Sequence, residues 1–572
     1  MLHTVLQRLF CPIFNSQEER DLYFSGTGFF IQDNNKLFIF KGGVVNFNSY
    51  FNAFPVKKVI EKTSIGDIDV KLSLVKGKGT LRVFGQNLNG KDLILDKVID
   101  GNISQLNIPL NIITNKYATL FVEFMAYEDS IISGIEYVTH SEKKREIYLG
   151  IVTTTFNRQE QVLNLIKKLS DNDELTSCTK LYVINNGDDI NFSGSDFVTV
   201  VKNENTGGSG GFMTGLLNSQ KNNHTHTMFI DDDALCHPES IVKAISFLSY
   251  VLDPNTSLCG AMLYENKPYI QYEAGAKIEG FHLVPRNMNM DLRYESNHFF
   301  NNFIESADYG PWWFFIFPNI KGLKFSFPFF VRGDDVTFSL RNKFKPIMLN
   351  GLCSWQESFD AKISPTVEYL AFRSFLMINI VYSEHLGSAT SLFLNVLKRI
   401  LFELLGFKYA IATALNESIK DVLTGPEFWE KNMKMATRLK EISDKAGNNV
   451  ESICISGYEF KSSGIGYGLK KKLLVTLTLG GNLLPLAFNK RRKYIYGMTA
   501  NPYATIRTRE LVYFSPELEK GFLVRRNRSL FWKIFFKSIY LSIKITLKRK
   551  KLRELYLSSL ITFESKKFWE SK

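Results

Sequence analysis

The sequence predicts a multidomain α/β protein with an N-terminal antiparallel β-sandwich, a central sheet of βαβ units and a helical C-terminal region. Three observations predict it. Residues 1–145 carry short alternating apolar runs, broken by glycine and Asn-Gly, with no 3.6-residue period. Residues 146–390 alternate apolar strand-like runs with helix-period segments, and acid and glycine clusters stand at the strand ends. Residues 391–572 turn helical and basic around a glycine-rich middle. With 572 residues, 45% of them hydrophobic, the chain is long enough for three or four domains. That composition excludes a disordered tail, a collagen-like repeat and a disulfide-stapled miniprotein.

In order along the chain, residues 36–40, 69–74 and 80–84 read as sandwich strands. In the central region, residues 147–155 read as a buried strand, 159–169 as a helix, and 181–184 and 198–201 as strands. A helix starts over 211–217, and the strand 228–230 runs into Asp231, Asp232 and Asp233. Residues 336–341 read as helical. Residues 473–488 are apolar but too short for a bilayer and are broken by Gly480, Gly481, Asn482 and Pro485, so no transmembrane span is expected. No signal peptide is expected either.

The six cysteines (Cys11, Cys178, Cys236, Cys259, Cys353, Cys454) form no C-x-x-C pair, which points to incidental thiols in a reducing compartment. The net charge of +13 is concentrated. Residues 525–553 hold eleven Lys or Arg and no acid. A basic patch confined to one terminal stretch fits an anionic membrane surface better than nucleic acid. Lys533, Lys537, Lys544, Lys548 and Lys551 recur on one narrow helical face, and Phe531, Ile534, Phe535, Ile539, Ile543, Ile545 and Leu547 cover most of the rest. Such a helix is expected to lie in the headgroup plane; packing on its own domain with a solvated lysine stripe is the alternative.

The chemistry concentrates in the central region. Carboxylates at i and i+2 after a strand, as in Asp231 and Asp233, can hold a divalent cation that neutralises a diphosphate; a solvated strand end is the plainer reading. Upstream, Asn205, Gly207, Gly208, Gly210 and Gly211 form a loop that lets backbone approach a phosphate at a helix N-terminus. Asn157 and Arg158, after the first strand, can contact a base or ribose, or simply start a helix. Trp312 and Trp313 can stack on a sugar ring or fill core. Asp334 and Asp335 can supply a general base, or cap the helix that follows. His224, His226, His237, His282 and His298 make no metal set, and the first two are expected at the surface.

Taken in order, residues 152–158, the 203–212 loop, the acid triplet, the Trp pair and the Asp pair resemble bacterial galactofuranosyltransferases of glycosyltransferase family 2, of the mycobacterial galactan-polymerising type. Residues 49–55, 355–362 and 368–373 extend the resemblance over roughly residues 1–500. It implies a GT-A-type (Rossmann-like) catalytic domain that uses UDP-galactofuranose and inverts the anomeric carbon. It also implies that Asn205 contacts the donor diphosphate, with Asp231 and Asp233 holding the donor and a Mn2+ or Mg2+ ion. Arg158, Gly207, Gly208 and Asp232 fall in the same donor-binding group. Trp312 and Trp313 would line the acceptor site, and Asp335 would be the base with Asp334 beside it. Two departures stand out. Gln356 replaces the family's metal-ligating His, a poorer ligand for a manganese-type ion, with Glu357 as the alternative. Gly333 replaces an aromatic residue, which would open the acceptor pocket. The expected setting is the cytoplasmic face of a bacterial membrane, as a peripheral protein and a possible homo-oligomer, with a glycan or lipid-linked oligosaccharide as acceptor. Another nucleotide sugar (a deoxyhexose or hexopyranose), or a non-catalytic carbohydrate-binding role, are the rival readings.

Overall fold

The structure, a computed structural model, describes residues 3–9, 11–12, 17–32, 36–100, 103–108, 116–279, 282–304, 306–357, 363–382, 388–447, 451–454, 468–485, 488–489, 491–497, 499–515 and 520–572.

The N-terminal strands are Thr4–Leu9 (β1), Ser25–Gln32 (β2), Lys36–Asn46 (β3), Ile68–Lys76 (β4), Lys78–Asn87 (β5), Gly90–Asp100 (β6), Ile103–Ile108 (β7), Thr119–Ala126 (β8) and Ser130–Thr139 (β9). They are antiparallel, as the alternation implies, and hydrogen bonds link all nine into one sheet. The corner is β3, which pairs with β9 at Leu37–Ile39 and with β8 at Val44–Asn46. Alternate residues such as Val70, Leu72 and Leu74 of β4 point into the core, whereas β2 and β6 are largely exposed.

The central sheet also has nine strands. Leu149–Thr155 (β10) leads to helix Gln159–Ser170 (α1), then to Thr179–Asn185 (β11), Val198–Lys202 (β12) and helix Gly207–Lys221 (α2). His226–Phe229 (β13), helix Pro238–Tyr250 (α3), Leu258–Tyr264 (β14), Lys267–Glu273 (β15), Met290–Asp291 (β16) and Phe315–Pro318 (β17) follow. Helix Asp334–Asn342 (α4) and strand Ile347–Gln356 (β18) complete it. The order is β12-β11-β10-β13-β17-β14-β15-β16, with β18 beside β14. The first four strands are parallel, and β17 runs antiparallel between β13 and β14.

Helix α2 starts at Gly207, four residues before the expected Gly211, because its glycines serve packing. A β-carbon on Gly211 would overlap the Thr154 hydroxyl, and one on Gly215 the Val152 side chain. The helix thus lies directly against β10. The two expected surface histidines differ from that reading: His226 opens β13 and is buried, and His224 is half-buried with its Nε2 3.0 Å from the Tyr182 hydroxyl.

The N-terminal sheet is bolted to the central one through buried polar contacts. Tyr23 meets His237 Nε2 at 2.6 Å, and Lys58 donates to the carbonyls of Ile304 and Met348 at 2.9 and 2.6 Å. Burial holds the His237 imidazole neutral, with its pKa pushed down to about 3. It is a satisfied core residue.

Helix Pro365–Val381 (α5) follows the central sheet, and the C-terminal region holds helices Ala389–Leu405 (α6), Tyr409–Thr424 (α7) and Arg528–Phe563 (α8). Ser364, Ser388 and Asn527 cap α5, α6 and α8 by accepting amide hydrogens from the first turn. It is not all helical. Glu451–Cys454, Lys520–Arg525, Thr508–Ser515 and Arg491–Tyr496 form a four-stranded sheet.

Helix α8 packs on its own domain, as in the alternative reading of the basic stretch. Phe531, Ile534, Leu541, Ile545, Leu552 and Tyr556 form its buried face. A second apolar stripe lies roughly opposite, at about 100° per residue. Phe536, Tyr540, Ile543 and Leu547 recur at i, i+4, i+7 and i+11 and are exposed, Leu547 to 78%. Lys533, Lys544 and Lys551 flank one margin of that stripe and Lys550 the other. The expected single apolar face is therefore two faces. Among the described residues, no helix is long and apolar enough to cross a membrane.

Candidate active site

Parallel register decides which loops meet. Val152 of β10 lies opposite Phe229 of β13, so the loops after both strands emerge side by side. Arg158, after β10, therefore reaches the acid triplet after β13. Its Nη1 donates to Asp232 Oδ1 at 3.1 Å and to Asp233 Oδ2 at 2.8 Å. A bridge between Leu235 and Trp355 brings the end of β18 to the same place. Gln356 is buried, and its Nε2 donates to Asp231 Oδ2 at 3.1 Å and Asp233 Oδ1 at 3.4 Å. Glu357, the alternative, is exposed.

These residues fit a hard divalent cation. Two carboxylates and one carboxamide converge, and turning the carboxamide over would present a third oxygen, the donor type that Mg2+ and Mn2+ prefer. Among the described residues, no group of three or more His, Cys, Asp or Glu is arranged to hold a metal ion, so a cation here would depend on the carboxamide as its third donor. The guanidinium of Arg158 supplies a fixed positive charge beside them.

A cavity of about 840 Å³ opens over this corner. It is lined by Arg158, Gly208 and the acid triplet, by Trp312, Trp313, Asp334 and Asp335, and further out by apolar residues of α5 such as Val367, Phe372 and Ile378. Both sequence-derived acid groups and the Trp pair thus share one space. Asn157, Asn205 and Gly207 do not line it. Asn157 accepts the Asp188 amide hydrogen at 2.8 Å, and Asn205 accepts that of Gly207 at 3.1 Å.

Gly207 itself has φ +72°, and a β-carbon there would overlap the Phe330 carbonyl oxygen. The close backbone approach read from the glycine loop is made to protein, in the turn before the Asp pair. The Trp pair is partly core: Trp312 packs edge-on against Phe229 and Phe212, and Trp313 Nε1 donates to the Gly260 carbonyl at 3.1 Å.

The Asp pair does not cap α4. Gly333 is the N-cap residue, with φ +86°, and Asp334 and Asp335 open the first turn. Asp334 accepts the Ser209 hydroxyl at 2.8 Å, and Asp335 Oδ1 accepts the Val336 amide at 2.8 Å. Burial raises both carboxyls. Asp335 reaches about 8, pushed first by desolvation and then by the neighbouring Asp334. The space over Gly333 is not open: a β-carbon there would meet Ile378 and Ser374 of α5.

Two residues escaped the sequence reading. Glu273 ends β15 with one carboxylate oxygen lacking a hydrogen-bond partner among the described residues, and burial raises it to about 7. It lines the cavity beside Tyr309. Its place at a strand's end was the available signal. Ser209, hidden among glycines, gave none.

No protein-family model matches the chain. It is 23% identical over 256 residues to the galactofuranosyltransferase GlfT2 of Mycolicibacterium smegmatis, covering 41% of this chain and 38% of that protein. It is 22% identical over 430 residues to GlfT2 of Mycobacterium tuberculosis, covering 67% of this chain and 66% of that protein. The chain thus spans between about two fifths and two thirds of the length of these relatives. Among solved structures, the mannosyltransferase PcManGT of Pyrobaculum calidifontis, in complex with GDP-Man and Mn2+, aligns over 71% of this chain and 90% of its own, at 12% identity and a TM-score of 0.30. In sequence, the chain is similar to bacterial galactofuranosyltransferases, the resemblance its motif order carries.

Proposed function

We propose that the chain is an inverting glycosyltransferase that moves galactofuranose from UDP-galactofuranose to a hydroxyl of a bacterial surface glycan. The observation that carries this reading is the single cavity holding the Arg158-tied acid triplet, the Asp pair and both tryptophans. Asp335 takes the proton of the acceptor hydroxyl as the oxygen attacks the anomeric carbon. The new C–O bond forms on the face opposite the diphosphate, the bond to the diphosphate breaks, and UDP leaves. Arg158 offsets charge growing on the leaving group. A divalent cation held by Asp231, Asp233 and Gln356 would neutralise the same diphosphate. Trp312 and Trp313 border the acceptor, and Glu273, neutral below about pH 7, can hydrogen-bond one of its hydroxyls.

The acceptor side continues into an apolar wall of α5, which suits an acceptor bearing an apolar carrier. The outer stripe of α8, apolar with flanking lysines, supports residence on the anionic inner face of a membrane.

The test is a panel of nucleotide sugars, scored for UDP release with and without a glycan acceptor, for wild type and Asp335→Asn. Acceptor-dependent release from UDP-galactofuranose that disappears in Asp335→Asn supports the reading. Release from another nucleotide sugar alone would reassign the donor, and none from any would leave a carbohydrate-binding role.

A further inference from the structure

The turn before the Asp pair is held in a conformation that side chains resist. φ is +77° at Phe330, +68° at Arg332 and +86° at Gly333. Left-handed backbone is costly for an L-residue, so the surroundings must hold it. Three ties do so. Arg373 is buried, donates through Nη2 to the Phe329 carbonyl at 2.6 Å and lies over the Trp429 ring at 4.1 Å. The Ser209 amide donates to the Phe330 carbonyl at 3.0 Å, in space that only Gly207 leaves free. The Ser209 hydroxyl donates to Asp334 Oδ2 at 2.8 Å, 125 residues away in sequence. Ser209 is wholly buried and Asp334 nearly so, which strengthens both bonds. Both bonds come from one residue in the first turn of α2.

Asp335 has a different environment. It accepts the amide of the next residue and lines the cavity. Both acids border the cavity, but Asp334 is the buried one and is fastened to Ser209, while Asp335 is the more exposed of the two and, among the described residues, has no such side-chain tie to α2.

We propose that Ser209 is a positioning residue, whose amide and hydroxyl latch the Phe330–Asp334 turn to helix α2, with Asp334 as the latch's carboxylate and Asp335 as the acid that meets the acceptor. The assignment of Asp335 rests on the transferase reading; the latch itself does not. Removing the hydroxyl leaves a buried carboxylate short of a donor and frees one end of a strained turn. A displacement of about 1 Å at the base is enough to cost about 100-fold in rate.

The first arm of the test needs no substrate. Amide hydrogen exchange over residues 330–336 is measured for wild type and Ser209→Ala, with thermal unfolding as the control for global folding. Exchange at least tenfold faster in the variant, with α1 and β10 unchanged, is expected. Equal exchange over 330–336 would overturn the latch. If Ser209→Ala does not fold, Ser209→Cys keeps the volume with a weak donor and is expected to show the same local acceleration; wild-type exchange in that variant overturns the proposal.

The second arm is kinetic. Ser209→Ala is expected to lower kcat 10- to 100-fold while the dissociation constant for UDP, read by calorimetry, stays within twofold. The Ser209→Ala/Asp334→Asn double variant is expected to be no slower than the slower single variant, because both changes open one latch. Multiplicative losses, or a loss expressed only in UDP affinity, would overturn the positioning role. A wild-type chain that turns over no nucleotide sugar would count against the transferase reading, and the exchange arm would still decide the latch.

Discussion

Replacing Gly207 with alanine should damage the fold more than replacing its neighbour Gly208, although both belong to the same glycine-rich loop. At Gly207 the backbone is left-handed, with φ +72°, and an added β-carbon would lie 2.7 Å from the Phe330 carbonyl carbon and closer still to its oxygen. The left-handed conformation costs alanine about 1–2 kcal/mol. The carbonyl must also retreat by about 1 Å, which breaks the 3.0 Å bond from the Ser209 amide and costs about 1 kcal/mol more. The total is about 2–3 kcal/mol, or about 4–12 °C in the melting temperature of a domain of this size.

At Gly208 the nearest atom to an added β-carbon is 3.7 Å away, in ordinary contact, and the residue is helical. Alanine there should be neutral or stabilise by up to about 1 kcal/mol. Thermal unfolding of the two variants in parallel, followed by circular dichroism, reads the difference. Equal melting temperatures would refute the claim that Gly207 exists to seat the Phe330 carbonyl.

The Asp335 carboxyl, raised to about 8 by burial and by Asp334, acts as a base only when ionised, so kcat should climb as pH rises toward 8. Asp335→Asn should lose about 10²–10⁴-fold and show no such climb. For stability the sign is opposite: the raised carboxyl contributes in full below about pH 4, and that contribution is lost as pH rises through about 8. Gln356→His should lower the manganese or magnesium concentration needed for half-maximal activity, and Glu357→Gln should leave the titration unchanged. Phe536→Asp with Leu547→Asp should release the protein from vesicles containing anionic phospholipid while leaving its melting temperature within a few degrees. Undiminished vesicle binding in that variant would exclude the outer stripe of α8 as a lipid contact.

The order of strands and helices from β10 to β13 was legible because buried parallel strands are written as unbroken apolar runs and α1 has a clear helical period. The start of α2 was not, because glycine is a poor helix former and the reason for it, contact with Thr154 and Val152 of β10, is tertiary. The antiparallel β17 inside the sheet depends on pairing between residues some ninety positions apart, which local pattern does not encode. In the candidate site the acid groups were visible as motifs, and so was the departure at Gln356. The effect expected of Gly333 was misjudged, since the filling atoms come from Ser374 and Ile378 on another helix. The two apolar faces of α8 could not be separated in the sequence: a helix that is core on one side and exposed on the other reads as apolar nearly all round.

The central claim is transfer of galactofuranose with inversion, and the product's new linkage tests it most directly. The purified chain would be given UDP-galactofuranose and UDP-galactopyranose in one tube with a galactofuranose-terminated acceptor, and the elongated glycan characterised by proton NMR. The account predicts a β-linked galactofuranosyl residue formed from the α-configured donor, absent with Asp335→Asn. A pyranosyl residue, or an α-linked furanosyl one, would contradict it.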